Sequence, residues 1–138
     1  MVAMPGLNTA VSGLQAAQTQ FSVSADNVAN ARSVAAEKVD GPAMDDSGRP
    51  LFRAGRTTLE AQETGGVRAR VEPVRPTSVQ RYAPDAPDAN AQGVVNRPNV
   101  SYVRETATQI GAQAQFSANL ATVETRDAMT ERLLDVTG

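Results

Sequence analysis

Cysteine, histidine and tryptophan do not occur in this 138-residue sequence. Without cysteine there is no disulfide framework, no thiolate metal site and no thiol nucleophile. Without histidine the commonest general base and the commonest transition-metal ligand are gone, and a serine-hydrolase triad has no imidazole to run on. Gly-rich phosphate loops of the Walker or dinucleotide type are also missing. Large core-formers are scarce: seven Leu, one Ile, three Phe and two Tyr. Leu, Ile, Val and Phe together number 27, a composition that supports only a thin core. The expectation is a protein that is not an enzyme and holds no cofactor or metal.

Targeting signals are equally sparse. Residues 1–25 carry no charge, and Asn8, Thr9, Ser12, Gln15 and Gln18 interrupt every apolar run, so no basic n-region or continuous apolar h-region exists. No stretch approaches the ~20 apolar residues of a membrane span. The expectation is a cytosolic protein, or one that is exported without a cleaved signal peptide, with no direct membrane insertion.

Charge is present but uneven. Residues 1–31 hold Asp26 alone, residues 32–97 hold ten basic and nine acidic groups, and residues 98–138 hold three Arg against five acids. Gly and Pro concentrate in the middle. The chain therefore reads as an N-terminal helix over 1–35, an irregular insert over 36–97 and a C-terminal helix over 98–138. The fold class expected is α+β, with the terminal helices paired as a coiled coil around a small β insert.

The helical readings rest on period. Met4, Val11, Gln18 and Ala25 are seven apart, as are Leu7, Leu14, Phe21 and Val28, and the two series alternate by three and four like a coiled-coil seam. The remaining faces are Ala, Gln, Ser, Thr and Asn. A solvent-facing helix normally carries charge, so this one is read as covered on several sides by partner subunits, the alternative being an amphipathic helix on its own domain core. At the other end, Pro98 with Asn99 or Ser101 supplies a helix start. Val100, Val103, Ala107, Ile110 and Ala114 then step by three and four. The stripe shifts phase to Phe116, Leu120 and Val123 and ends on Met129, Leu133 and Val136.

In the middle, Asp46-Ser47-Gly48 and Thr64-Gly65-Gly66 are turn sequences. Strands are expected over residues 51–59 and 67–74, the second because Arg68 and Arg70 alternate with Val67, Ala69 and Val71. Residues 81–98, with Tyr-Ala-Pro-Asp-Ala-Pro-Asp, read as extended rather than regular. Asp40, Asp45 and Asp46 lack the ligand spacing of a calcium loop and read as a solvated turn. Asp85 and Asp88 read as turn residues, not a catalytic pair. Arg-rich but acid-balanced, with Lys38 the only lysine and a pI near 5.1, the chain is not expected to bind nucleic acid. Arginine used this way fits polar contacts between subunits.

Two segments carry a family resemblance. Asp26-Asn27-Val28-Ala29-Asn30-Ala31 resembles the Asn-x-Ala-Asn signature of bacterial flagellar rod, hook and hook-associated proteins. Residues 84–95, Pro84-Asp85-Ala86-Pro87-Asp88-Ala89-Asn90-Ala91-Gln92-Gly93-Val94-Val95, followed by Pro98-Asn99-Val100, are similar to the lead-in to the C-terminal helix of proximal rod subunits. Phe116-Ser117-Ala118-Asn119-Leu120 resembles the aromatic-x-Ala-Asn motif inside that helix. The short length fits proximal rod subunits better than distal rod or hook proteins.

The resemblance implies a structural subunit of the flagellar basal-body rod, stacking helically into a periplasmic drive shaft for motility. It implies an inner coiled-coil layer, an outer β insert and delivery by the flagellar type III export apparatus. Partners would be copies of the chain itself and other rod proteins of the FlgB, FlgF, FlgG and FliE types. Leu7, Val11, Leu14, Phe21, Val28, Val103, Ile110, Phe116, Leu120, Val123 and Leu133 would form the assembly seam. A stand-alone coiled-coil adaptor or peripheral membrane protein is the alternative, weakened by the absence of Lys and Arg from the polar face of the first helix.

Overall fold

The computed structural model describes residues 5–34 and 48–137. Two long helices, α1 (Pro5–Asn30) and α2 (Tyr102–Thr137), flank four strands: β1 (Gly55–Ala61), β2 (Val67–Pro73), β3 (Ser78–Tyr82) and β4 (Val94–Pro98). At 1.5 Å per residue the helices run about 39 and 54 Å. The acidic group Asp40, Asp45 and Asp46 lies outside the described residues.

Each helix begins and ends where local chemistry dictates. Pro5 opens α1, a position where its missing N–H costs nothing. The far end of α1 closes in tighter turns, with the Ala31 N–H donating to Val28 O (3.3 Å) and the Ser33 N–H to Asn30 O (3.0 Å). At α2 the Glu105 N–H donates to Ser101 O at 2.9 Å, which makes Ser101 the capping residue. Residues 98–100 are an extended lead-in, not helix.

The strands form two antiparallel hairpins. In the first, β1 pairs with β2 from Gly55↔Pro73 to Ala61↔Val67. Gly65 and Gly66 take φ of +86° and +91° in the turn between them, a backbone region that only glycine enters freely. The second pairs β3 with β4, from Ser78↔Pro98 to Tyr82↔Val94. The expectation for residues 81–98 was wrong here: the run is a hairpin with a compact loop. The available signal was the β-branched pair Val94-Val95 directly after Gly93. The first strand also starts at Gly55 rather than residue 51, because the chain through Leu51 and Ala54 is buried before pairing begins.

The buried apolar residues are small. Among the described residues they are Ala10, Ala16, Ala17, Leu51, Ala54, Val95 and Ala112, and the largest fully buried side chains are Val95, Asn27 and Ser24. Alanine buries little area, so this core contributes modestly at about 25 cal/mol per Å². Close backbone approach and hydrogen bonds do much of the positioning.

Candidate assembly interface

The two helices pack antiparallel through small residues. Gly6 of α1 lies against the Arg126 guanidinium, Gly13 against the Asn119 amide, and the Ser24 hydroxyl donates to Glu105 O at 3.0 Å. The series Gly6, Ala10, Gly13, Ala17, Gln20, Ser24, Asn27 steps by four and three, and its members include four of the most deeply buried positions of α1. This contact line runs one residue round from the seam read in the sequence. Leu7, Leu14 and Val28 sit half-buried on its flank, while Val11 and Phe21 are exposed. Helices that approach on glycine and alanine have no room between them for Leu or Phe.

The large apolar side chains of α2 also lie outside the contact. Val103 is 82% exposed, Ile110 64% and Leu133 66%, while Phe116 and Leu120 are 40% exposed and Val123 is half-buried. Within one chain, therefore, Val103, Ile110 and Leu133 do not meet α1 in a seam. Phe21 and Phe116 do come together, lining an open groove with Ala17, Gln18, Ala112 and Gln113.

The motif residues divide into those that hold the chain together and those that face outward. Asn27, 1% exposed, makes a paired contact with Gly55: its Nδ2 donates to Gly55 O at 2.7 Å, and the Gly55 N–H donates to its Oδ1 at 2.9 Å. That amide imitates one rung of a β-ladder and fixes β1 to α1. Asn30 donates to Asp26 O at 2.9 Å within its own helix, and Ala29 is exposed. Farther along α1, Ser12 Oγ accepts from the Val67 N–H at 3.1 Å and donates to Thr9 O at 2.8 Å, docking the start of β2. Ser12, Ser24 and Glu105 have roles that the sequence reading missed. Gln20, Ser24 and Asn27, stepping by four and three along α1, were the available signal for Ser24; nothing in the sequence marked Ser12 or Glu105.

Residues 83–93 form the loop of the second hairpin. Asn90 Oδ1 accepts from the N–H groups of Gln92 (3.0 Å) and Val94 (2.9 Å), and the Asn90 N–H donates to Val94 O at 3.0 Å. The Ala86 N–H donates to Ala83 O and the Ala89 N–H to Ala86 O, so the two Pro-Asp-Ala units are consecutive turns. Pro84, Asp85 and Pro87 are exposed, whereas Asp88 and Ala89 are half-buried. Gly93 is buried with φ +72°, and a Cβ there would sit 3.0 Å from both Pro84 Cβ and Tyr82 Cε2. Pro98 is buried and Val100 half-buried, and Asn99 donates from Nδ2 to Pro76 O at 3.0 Å. Asn119 donates to Gln115 O at 2.8 Å, and Ala118 is exposed.

None of this geometry gathers reacting groups. Among the described residues no three Asp or Glu side chains come together, and no helix is long and apolar enough to cross a membrane. What the arrangement offers is a helix pair with exposed apolar flanks, tied to an outlying hairpin by asparagine and serine.

That description is met by flagellar axial proteins. A family model described as flagella basal body rod protein matches residues 7–32, and one described as the flagellar basal body rod FlgEFG protein C-terminal region matches residues 91–136. Among curated proteins the chain is 33% identical over 130 residues to the flagellar basal-body rod protein FlgC of Yersinia enterocolitica, covering 89% of each. It matches the FlgC of Salmonella typhimurium equally, at 33% over 130 residues and 89% of each, and that of Bacillus subtilis at 23% over 148 aligned positions and 99% of each. The chain belongs to the FlgC family of flagellar basal-body rod proteins. It is a structural subunit of the rod, located in the flagellar basal body and assembling with other rod components. The adaptor alternative has no support.

Proposed function

We propose that this rod subunit builds the flagellar drive shaft by burying the exposed apolar flanks of its helix pair against neighbouring subunits in a helical stack. Segments 1–35 and 98–138 then form the inner coiled-coil layer and segment 36–97 the outer one. The observation that carries this reading is the exposure of Val103, Ile110, Phe21, Phe116 and Leu133 on a helix pair whose own contact uses Gly, Ala and Ser. Large apolar residues left on two faces of one helix pair are what a surface shared between subunits requires. Neighbours are copies of the chain and subunits of the FlgB, FlgF, FlgG and FliE types. The chain has no catalytic task, works in the periplasm, and reaches it through the flagellar type III export apparatus without a cleaved signal peptide.

The test separates export from assembly. Leu133→Asp places a charge on an apolar stripe, and burial of an unpaired carboxylate in every subunit of a stack is strongly unfavourable. The variant is expected to be made and exported yet to leave cells without rods and non-motile. Immunoblots of cytoplasmic, periplasmic and medium fractions are read alongside a swimming assay. Full motility overturns the assembly role of α2, and retention in the cytoplasm overturns the separation of export from assembly.

A further inference from the structure

Neither helix carries a charge over the section where the two run side by side. Residues 6–25 of α1 and 106–123 of α2 contain no Asp, Glu, Lys or Arg. The section is bounded by the Gly6–Arg126 contact at one end and the Ser24–Glu105 bond at the other, and it is about 27 Å long. Two of its surfaces stay open among the described residues. The first is a groove between the helices, of about 410 Å³ around Phe21 and Phe116. It opens away from the first hairpin, which docks on the Ser12 and Asn27 side of α1. Leu14, seven residues before Phe21, and Leu120, one turn beyond Phe116, continue its apolar walls. The second surface is the back of α2. Val103, Ala107, Ile110 and Ala114 step by four and three there, all exposed, about half a turn round from the buried Ala112 that faces α1.

Resting on the rod-subunit reading, we propose that the groove of one copy receives the back of α2 from a second copy of this chain, standing parallel to the first and at the same level. Three properties select that occupant. Large side chains line the groove, whereas the back of α2 alternates Val and Ile with Ala, so a second α2 sinks between the walls as a ridge into a groove. Neither surface holds an ion over the shared section, so closing the contact there strips water from no charge. Beyond that section the charges are complementary. Stepping on from Phe116 and Leu120, the groove side of α2 bears Glu124, Asp127 and Glu131. The back, continued through Ala121 and Ala128, ends on Arg132.

All four charged residues are exposed, and the remaining cation of that stretch, Arg126, is turned to Gly6. With the copies parallel and level, Arg132 of the second copy falls beside Asp127 and Glu131 of the first. Groove and ridge are different surfaces of one chain, so the contact is heterologous. Each copy offers a groove to one neighbour and a ridge to the next, and the series does not close at two.

The test uses the absence of cysteine from the chain. Gln18→Cys puts a thiol on the rim of the groove, and Ala114→Cys puts one on the back of α2 at the same level. Within one chain the two point to opposite sides of the helix pair, so a disulfide, which needs Cα atoms within about 7 Å, forms only between copies. Basal bodies from cells carrying the double variant are isolated, treated with a mild oxidant and run on non-reducing gels. A ladder of linked copies, dimer and above, is expected, and neither single variant is expected to give it. In parallel, Arg132→Glu is expected to lower incorporation into basal bodies about two- to fivefold. Asp127→Arg with Glu131→Arg in the same chain is expected to restore it. Circular dichroism of the purified variants shows whether each still folds.

A double-cysteine chain that is incorporated without cross-linking overturns the proposal. Dimers from either single variant also overturn it, because like surfaces then meet. Where the double-cysteine chain is not incorporated, the charge variants decide: Arg132→Glu incorporated as well as the parent, or not rescued by the two arginines, overturns the pairing. These results leave the rod reading standing, because the unmodified subunit is still found in basal bodies. Absence of the unmodified subunit from basal bodies overturns the rod reading itself.

Discussion

Asn119 occupies the space that Gly13 leaves open on the facing helix: a Cβ at Gly13 would lie 2.6–2.7 Å from its Oδ1, Cγ and Nδ2. The two residues set how closely α1 and α2 approach at mid-length. Alanine at position 13 gains about 1 kcal/mol in helix propensity but collides with an amide that is held by its bond to Gln115 O at 2.8 Å. Gly13→Ala is therefore expected to lower the melting temperature, and Gly13→Ala with Asn119→Ala to regain most of it. Thermal unfolding of the four members of the cycle checks this, and additive effects contradict the contact.

Asn27 predicts a different kind of loss. Asn27→Ala removes both bonds to Gly55 and leaves an N–H and a carbonyl without partners, at roughly 1–3 kcal/mol for each group that stays dry. Hydrogen exchange is expected to quicken across residues 55–74 before it changes in α2. Uniform loosening of the whole chain contradicts a local docking role.

At the second hairpin, Gly93→Ala forces a side chain into the left-handed region, and its Cβ meets Pro84 and Tyr82. The backbone strain alone is about 1–3 kcal/mol. A lowered melting temperature with faster exchange across residues 83–94 is the expected outcome. Unchanged exchange in that loop counts against the tight packing described.

Phe116 and Ile110 separate chain stability from assembly. Phe116, 40% exposed, is expected to lose less than the ~3–5 kcal/mol of a fully buried phenylalanine when replaced by alanine. Ile110→Asp, at a position 64% exposed, is expected to melt close to the parent as a free chain. Both variants are nevertheless expected to abolish swimming on the proposed reading, in which neighbouring subunits cover what the free chain exposes. Normal swimming with either variant removes that residue from the subunit contact.

The long helices and their pairing were legible because period and the absence of Gly and Pro over 112–137 are strong signals. Their line of contact was not. Hydrophobic periodicity selects the largest apolar side chains, Leu7, Leu14 and Phe21, whereas the helices meet on Gly13, Ala17 and Ser24, which score weakly on any such scale. The motif asparagines were recognisable as a pattern, but nothing in the chain announces that Asn27 reaches Gly55, 28 residues away. The second hairpin was hidden by its prolines: Pro84 and Pro87 occupy the loop, and Pro98 sits at the end of the ladder opposite Ser78. Glu105 was indistinguishable from any other surface acid, since burial depends on what α1 and β1 bring against it.

The bond from Ser24 to Glu105 joins residues 81 apart in the chain. Each hairpin, by contrast, pairs strands that lie close together in the chain. Loop closure grows costlier with separation, and distant contacts form late. A chain that emerges from its N-terminus can complete both hairpins while α1 still waits for its partner. Strand pairing thus precedes closure of the helix pair, and the proposed surface for neighbouring subunits does not exist until α2 has arrived.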